Sequence, residues 1–152
     1  FPPRNWQDEL NNVDFIYISH NHPDHLNQFT LEKVRKDMHF IVPAFANDSV
    51  RKLLNKFGFN NISSFDFSNY YKFKDTDLFF TILKSGDFRE DSGFHFTYGN
   101  FSCLSTVDSN DLNFLRFPEN ISLFCSSFAG GASGYPLCFN NINEQKKSKI
   151  LE

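Results

Sequence analysis

The chain has 152 residues, enough for one domain with a substantial core. Its formal net charge of −3 excludes the basic footprint that nucleic-acid binding leaves, and no run of about 18 apolar residues offers a membrane span. No signal peptide is visible, and Cys103, Cys125 and Cys138 are odd in number with no CxxC spacing. That pattern argues against a disulfide framework and fits a reducing cytoplasm, so a cytoplasmic protein is expected.

The chain opens on Phe1-Pro2-Pro3, and residues 143–152 read as the first turns of a helix. Both ends look cut, so a fragment of a longer domain is expected. Residues 13–18 combine β-branched and aromatic side chains and predict a buried strand. A histidine-rich loop follows. Thr30 is placed to cap a short helix over 31–37, with Glu32 in its first turn. Phe40-Ile41-Val42-Pro43 predicts a short strand stopped by proline. Asn47 or Asp48 caps a second helix whose apolar stripe is Val50, Leu53, Leu54 and Phe57, and Gly58 ends it.

The hydrophobic period then changes from 3.6 to about 2. Strands are predicted over 62–67, 70–73 and 78–83. Phe94, Phe96 and Tyr98 alternate with His95 and Thr97, which puts His95 on the face opposite the core phenylalanines. Gly99-Asn100 turns the chain into a partner strand over 101–107. Residues 121–125 form a further apolar strand, running into the small-residue loop 126–136. Two βα-like units followed by a meander predict an α/β layered fold, with helices on a largely antiparallel or mixed sheet.

The chemistry is concentrated in His20-Asn21-His22-Pro23-Asp24-His25, directly after the first predicted strand. In extended backbone, His20 and His22 point to the same side and can reach one cation. Pro23 biases the residue before it toward extended geometry, and the turn can aim Asp24 and His25 at a second point. Imidazole with carboxylate suits zinc first, with iron or manganese as alternatives. Two cations about 3.5–4 Å apart can share a water and make it a hydroxide at neutral pH. Asp108 ends the apolar strand Cys103 to Val107, where its carboxylate can bridge two cations. Asp87, in Ser85-Gly86-Asp87-Phe88, is a further candidate ligand or a plain turn aspartate, and Asp91 stands behind it. His39 precedes a buried strand and is expected at the surface or behind the ligands. The loop 126–136 offers backbone N–H groups around Gly130 and Gly131, and polar contacts from Ser127, Ser133 and Tyr135, to an anionic substrate group. It lacks the P-loop pattern.

The motif His20 to His25 after a buried strand resembles the signature of the metallo-β-lactamase fold superfamily. Pro3-Arg4-Asn5-Trp6, the segment 13–26, Thr106-Val107-Asp108 and Ser127 to Pro136 together resemble the hydrolase-fold part of the CMP-N-acetylneuraminate hydroxylase-like family. The resemblance implies an αββα sandwich, of which residues 1–152 form the central portion of a single domain. It implies that His20 and His22 bind one divalent metal, Asp24 and His25 a second, and Asp108 bridges them. Asp87 falls about where the superfamily has its next histidine ligand, and the last histidine of the pattern would lie beyond Glu152.

Three functions are open at this point. The first is a metal-dependent hydrolase in which a metal-bound hydroxide attacks an ester, lactone or phosphoester bond, with Asp24 as ligand or proton acceptor. The resemblance makes its substrate a sugar-derived or nucleotide-sugar molecule, with no nucleic-acid or membrane partner. The second is a CMP-N-acetylneuraminate hydroxylase-like monooxygenase. It would need an electron-transfer partner, with any Rieske [2Fe–2S] domain outside this segment because paired Cys and His are absent here. The third is a non-catalytic nucleotide-sugar-binding domain.

Overall fold

The computed structural model describes residues 4–86, 89–109 and 118–127. Asp87, Gly130, Gly131, Ser133, Tyr135 and Cys138 lie outside the described residues, as does the predicted C-terminal helix. Helix α1 (Trp6–Asn11), for which the sequence reading made no assignment, precedes strand β1 (Ile16–Tyr17). Helix α2 (Gln28–Leu31), β2 (Phe40–Pro43), α3 (Ser49–Lys56) and β3 (Ile62–Phe65) follow. The second half is strand only: β4 (Tyr71–Lys72), β5 (Leu78–Lys84), β6 (Ser92–Tyr98), β7 (Phe101–Ser105) and β8 (Leu123–Cys125).

Two sheets result. β1, β2 and β3 are parallel, because short helices carry the chain back between them. β4 to β7 form an antiparallel meander, and β8 joins it parallel to β7. The parallel sheet is covered on both faces, which is why Phe40, Ile41 and Val42 read as a continuous apolar run rather than an alternation. Phe40 and Val42 face the helices, packing with Leu31, Val34, Val50 and Leu54. Ile41 faces the second sheet, against Phe80, Ile82 and Phe94. The layers are therefore helix, sheet, sheet, in accord with the expected α/β sandwich. Phe67 joins the two sheets through a bridge to Ile82.

Local signals account for most boundaries. α3 is amphipathic, buries Val50 and Leu54, and ends at Gly58 in the left-handed conformation (φ +86°). Its last turn is closed by Lys36, whose Nζ donates to the Phe57 carbonyl at 2.9 Å.

One expectation is corrected. Thr30 does not cap a helix over 31–37: Asn27 does, its Oδ1 accepting from the Thr30 N–H at 3.2 Å, so the helix starts three residues earlier. Asn and Thr are both good caps, and the one whose side chain meets the free N–H prevails. Strand β8 carries its apolar side chains exposed, Leu123 at 47% and Phe124 at 56%. His39 is not behind the site: its Nε2 lies 2.9 Å from Ser63 Oγ, and its ring stacks near Phe73.

His95 does lie opposite the core phenylalanines, but it is buried, with Nε2 3.0 Å from Ser102 Oγ. Among the described residues, no helix is long and apolar enough to cross a membrane.

Leu54→Ala should cost roughly 2–5 kcal/mol, read from denaturant midpoints, because it opens a cavity in fully buried packing. Burial lowers the pKa of His95, and burial with Lys74 nearby lowers that of His39. The folded state therefore binds fewer protons than the unfolded one once pH drops below about 6.5. Stability should be full above that value and fall on acidification, and His95→Gln should flatten the decline measured by urea titration.

Candidate metal centre

The motif loop leaves β1 at the edge facing the second sheet. Ile18 still donates its N–H to the Ile41 carbonyl at 3.1 Å, so the backbone stays extended into the histidines. His20 and His22, two apart in that segment, bring Nε2 and Nδ1 to 2.9 Å. After Pro23 the chain turns: His25 and Leu26 both donate their N–H groups to the His22 carbonyl, at 3.0 and 2.8 Å. This turn returns the His25 ring to within 4.3 Å of the His20 ring, centroid to centroid.

Asp108 comes from the other sheet. Its Oδ2 lies 3.1 Å from His25 Nε2 and 3.8 Å from His20 Nε2. His25 Nε2 is also 3.5 Å from Asp24 Oδ2. The donors thus fall into two groups, His20 with His22 and Asp108, and Asp24 with His25 and Asp108. One carboxylate belongs to both.

Around a tetrahedral zinc with bonds of about 2.0–2.1 Å, two ligand atoms stand roughly 3.3 Å apart. The observed separations of 2.9, 3.1, 3.5 and 3.8 Å bracket that value. The donors therefore fit the cations the fold implies. All are nitrogen or oxygen, which suits zinc, iron or manganese rather than a thiolate-bound metal. Among the described residues each group offers three donors, the number that catalytic zinc sites take from protein.

The turn that delivers Asp108 is under constraint. Val107 sits at φ +51°, a left-handed conformation that a β-branched residue adopts at a cost. The Ser109 N–H closes the turn on the Thr106 carbonyl at 2.9 Å. Gly93 lies against it, and a Cβ there would stand 2.9 Å from the Ser105 carbonyl oxygen and 3.4 Å from Thr106 Cα. Only glycine lets β6 approach the turn this closely.

Behind His20 lies a buried polar chain. Its Nδ1 is 2.9 Å from Ser19 Oγ and 3.2 Å from Asp91 Oδ1. Ser92 Oγ donates to the Ser19 carbonyl at 2.7 Å and lies 2.6 Å from the Tyr17 hydroxyl. Burial pushes the Tyr17 phenol well above its usual range, so it stays a donor. Asp91, expected from the sequence as a further candidate ligand behind Asp87, has a different place. It lies on the far side of His20 from the metal-facing nitrogen.

Ser127 is half-buried at the end of β8. The rest of the predicted substrate loop lies outside the described residues, as does Asp87.

No protein-family model matches the chain. Along 99% of its length it is 34% identical to cytidine monophosphate-N-acetylneuraminic acid hydroxylase of Mus musculus and 35% identical to that of Sus scrofa. It spans 27% and 36% of those relatives. Among solved structures, it resembles the isothiocyanate hydrolase from Delia radicum gut bacteria, with a TM-score of 0.52 at 21% identity over 66% of this chain and 42% of that one. CmlA β-hydroxylase gives 0.52 at 24% identity over 65% and 21%. The metallo-β-lactamase fold protein YhfI of Bacillus subtilis gives 0.51 at 18% over 76% and 50%.

The chain has the metallo-β-lactamase fold. Over nearly all its length it is similar to a segment of the CMP-N-acetylneuraminic acid hydroxylases. Both hydrolases and hydroxylases share the metallo-β-lactamase fold described here, and the donors above form a candidate metal centre at the sheet ends.

Gly93→Ala should force the turn 106–108 away from β6. Overpacking of this kind costs typically 1–3 kcal/mol. Bound metal, measured by elemental analysis, should fall with it, because Asp108 leaves both donor groups.

Proposed function

We propose that this chain is the metal-holding segment of a nucleotide-sugar hydroxylase, the central part of one metallo-β-lactamase-like domain that acts on CMP-N-acetylneuraminate or a close analogue. The single observation that carries the reading is the shared Asp108 carboxylate, set between two His-containing donor groups. The similarity of 99% of the chain to sialic-acid hydroxylases supplies the substrate class. His20, His22 and Asp108 would hold one cation, and Asp24, His25 and Asp108 the other. When bound, such a pair supplies Lewis acidity and an activated oxygen ligand at neutral pH.

The chain's own residues supply the rest. His20 is buried and fixes one end of the site, while the Asp24 side chain is 76% exposed and faces solvent. That exposure suits Asp24 to accept a proton from incoming water or substrate as well as to bind. Ser127, with Gly130, Gly131, Ser133 and Tyr135 of the following loop, would contact the anionic part of the substrate. Electrons for oxygen insertion would come from an iron–sulfur partner or domain. The odd number of cysteines, with no CxxC spacing, is the support for placing the protein in the cytoplasm.

Hydrolysis of an ester, lactone or phosphoester stands second. Its support is the all-nitrogen-and-oxygen donor set of the two groups, which suits a metal-activated water nucleophile equally well. The two readings separate on product. Full-length protein supplied with CMP-N-acetylneuraminate, dioxygen and a reductant should yield a nucleotide sugar one oxygen atom heavier by mass spectrometry. Oxygen-independent cleavage would favour the hydrolase, and tight binding without turnover a non-catalytic domain. His22→Ala and Asp24→Ala should each lose bound metal and turnover while keeping the far-ultraviolet circular dichroism of the parent. Normal metal content in both variants would overturn the assignment.

A further inference from the structure

We propose that Asp91 is a positioning residue that locks the His20 ring with its proton on Nδ1, so that Nε2 presents a lone pair to the first cation. The inference rests on the metal-centre reading above. It starts from two nitrogens with different surroundings. His20 Nε2 points to His22 and Asp108, and Nδ1 points to Asp91 Oδ1 at 3.2 Å and Ser19 Oγ at 2.9 Å. A carboxylate accepts hydrogen bonds and does not donate them, so facing Asp91 the favoured tautomer carries its proton on Nδ1. The other nitrogen is then bare.

The site leaves little alternative to this pairing. The His20 side chain is 1% exposed and that of Asp91 6%, so water cannot replace either partner cheaply. Asp91 is itself held: its Oδ1 accepts the Ser92 N–H at 2.7 Å, and its carbonyl accepts from Ser85 N–H at 3.1 Å. Ser92 then reaches back across the sheets. Its hydroxyl donates to the Ser19 carbonyl, which leaves it accepting from Tyr17. Tyr17, Ser19 and His20 belong to one strand and its loop, and Asp91 and Ser92 to β6 and its approach. The Ser19 carbonyl before His20 and the Asp91 carboxylate behind it are thereby both bonded to Ser92. Ring rotation and tautomer exchange are both opposed.

The shared bridge makes a selective prediction. Among the described donors Asp91 contacts His20 alone, so it should affect the cation of His20 and His22 and leave that of Asp24 and His25. Cobalt(II) titration of the full-length protein, followed by visible absorption, resolves the two events. Asp91→Asn presents an amide that can donate to Nδ1 and favour the wrong tautomer. It should weaken one cobalt equivalent by about 10–100-fold and leave the other within twofold of the parent. Retention of both at parental affinity, or loss of both together, overturns the proposal. A measurement on the unaltered, metal-free protein guards against a variant that does not fold. Histidine-selective nitrogen-15 spectra should show the His20 proton on Nδ1, and a proton on Nε2 overturns the proposal. If the parent binds no cobalt, the metal-centre reading fails first. If it binds two equivalents and Asp91→Asn does likewise, only the role of Asp91 fails.

Discussion

One carboxylate, that of Asp108, stands in both candidate donor groups, and the geometry around it places it there. The residue stands at the end of β7, in a turn whose Val107 is held at positive φ. Strain of this sort persists only where surrounding structure over-determines it. Here β6 does so, through a glycine close enough that any side chain would meet the Ser105 carbonyl. The histidine loop meets Asp108 from the other sheet, so the centre exists only if the two sheets keep their spacing.

That spacing is set by aromatic packing and by a few polar links. Tyr17 stacks on Phe94 with centroids 4.4 Å apart, while its hydroxyl reaches Ser92. The same residue thus fills the interface between the sheets and pins the strand that leads into the histidines. Buried polar groups are costly unless satisfied. The chain from Tyr17 through Ser92 to Ser19 and His20 meets that requirement without water.

Features whose cause is local were readable in the sequence. The strand Phe40–Pro43, the helix ended by Gly58, and the hairpin at Gly99-Asn100 each follow from a few neighbouring residues. The spacing of His20 and His22, and the turn after Pro23, also carry their geometry with them. Asp108 was accessible for a similar reason, as a carboxylate at a strand end. What was not readable depends on pairing across sheets. Asp91 looks like any loop aspartate until β6 is set beside the His20 loop. Asn27 and Thr30 compete for one cap with similar intrinsic merit, so only the settled backbone distinguishes them. The short helix α1 is held by Asn11, whose Oδ1 accepts from the Arg35 N–H at 2.6 Å. That partner lies far along the chain and leaves no local signal.

The long separations at the centre bear on how the protein folds. His25 and Asp108 are 83 residues apart, and Tyr17 and Ser92 are 75 apart. Closing such loops costs entropy before any contact is gained, so these pairings are expected to form after the local ones. A nascent or partly folded chain would hold the histidine loop without its bridging carboxylate. Cations would then be captured in strength only by the finished fold. They would act as a ligand of the native state, raising its population by mass action and slowing its loss. On the proposed metal-centre reading, metal supply would accordingly raise the folded population, independently of any role in turnover.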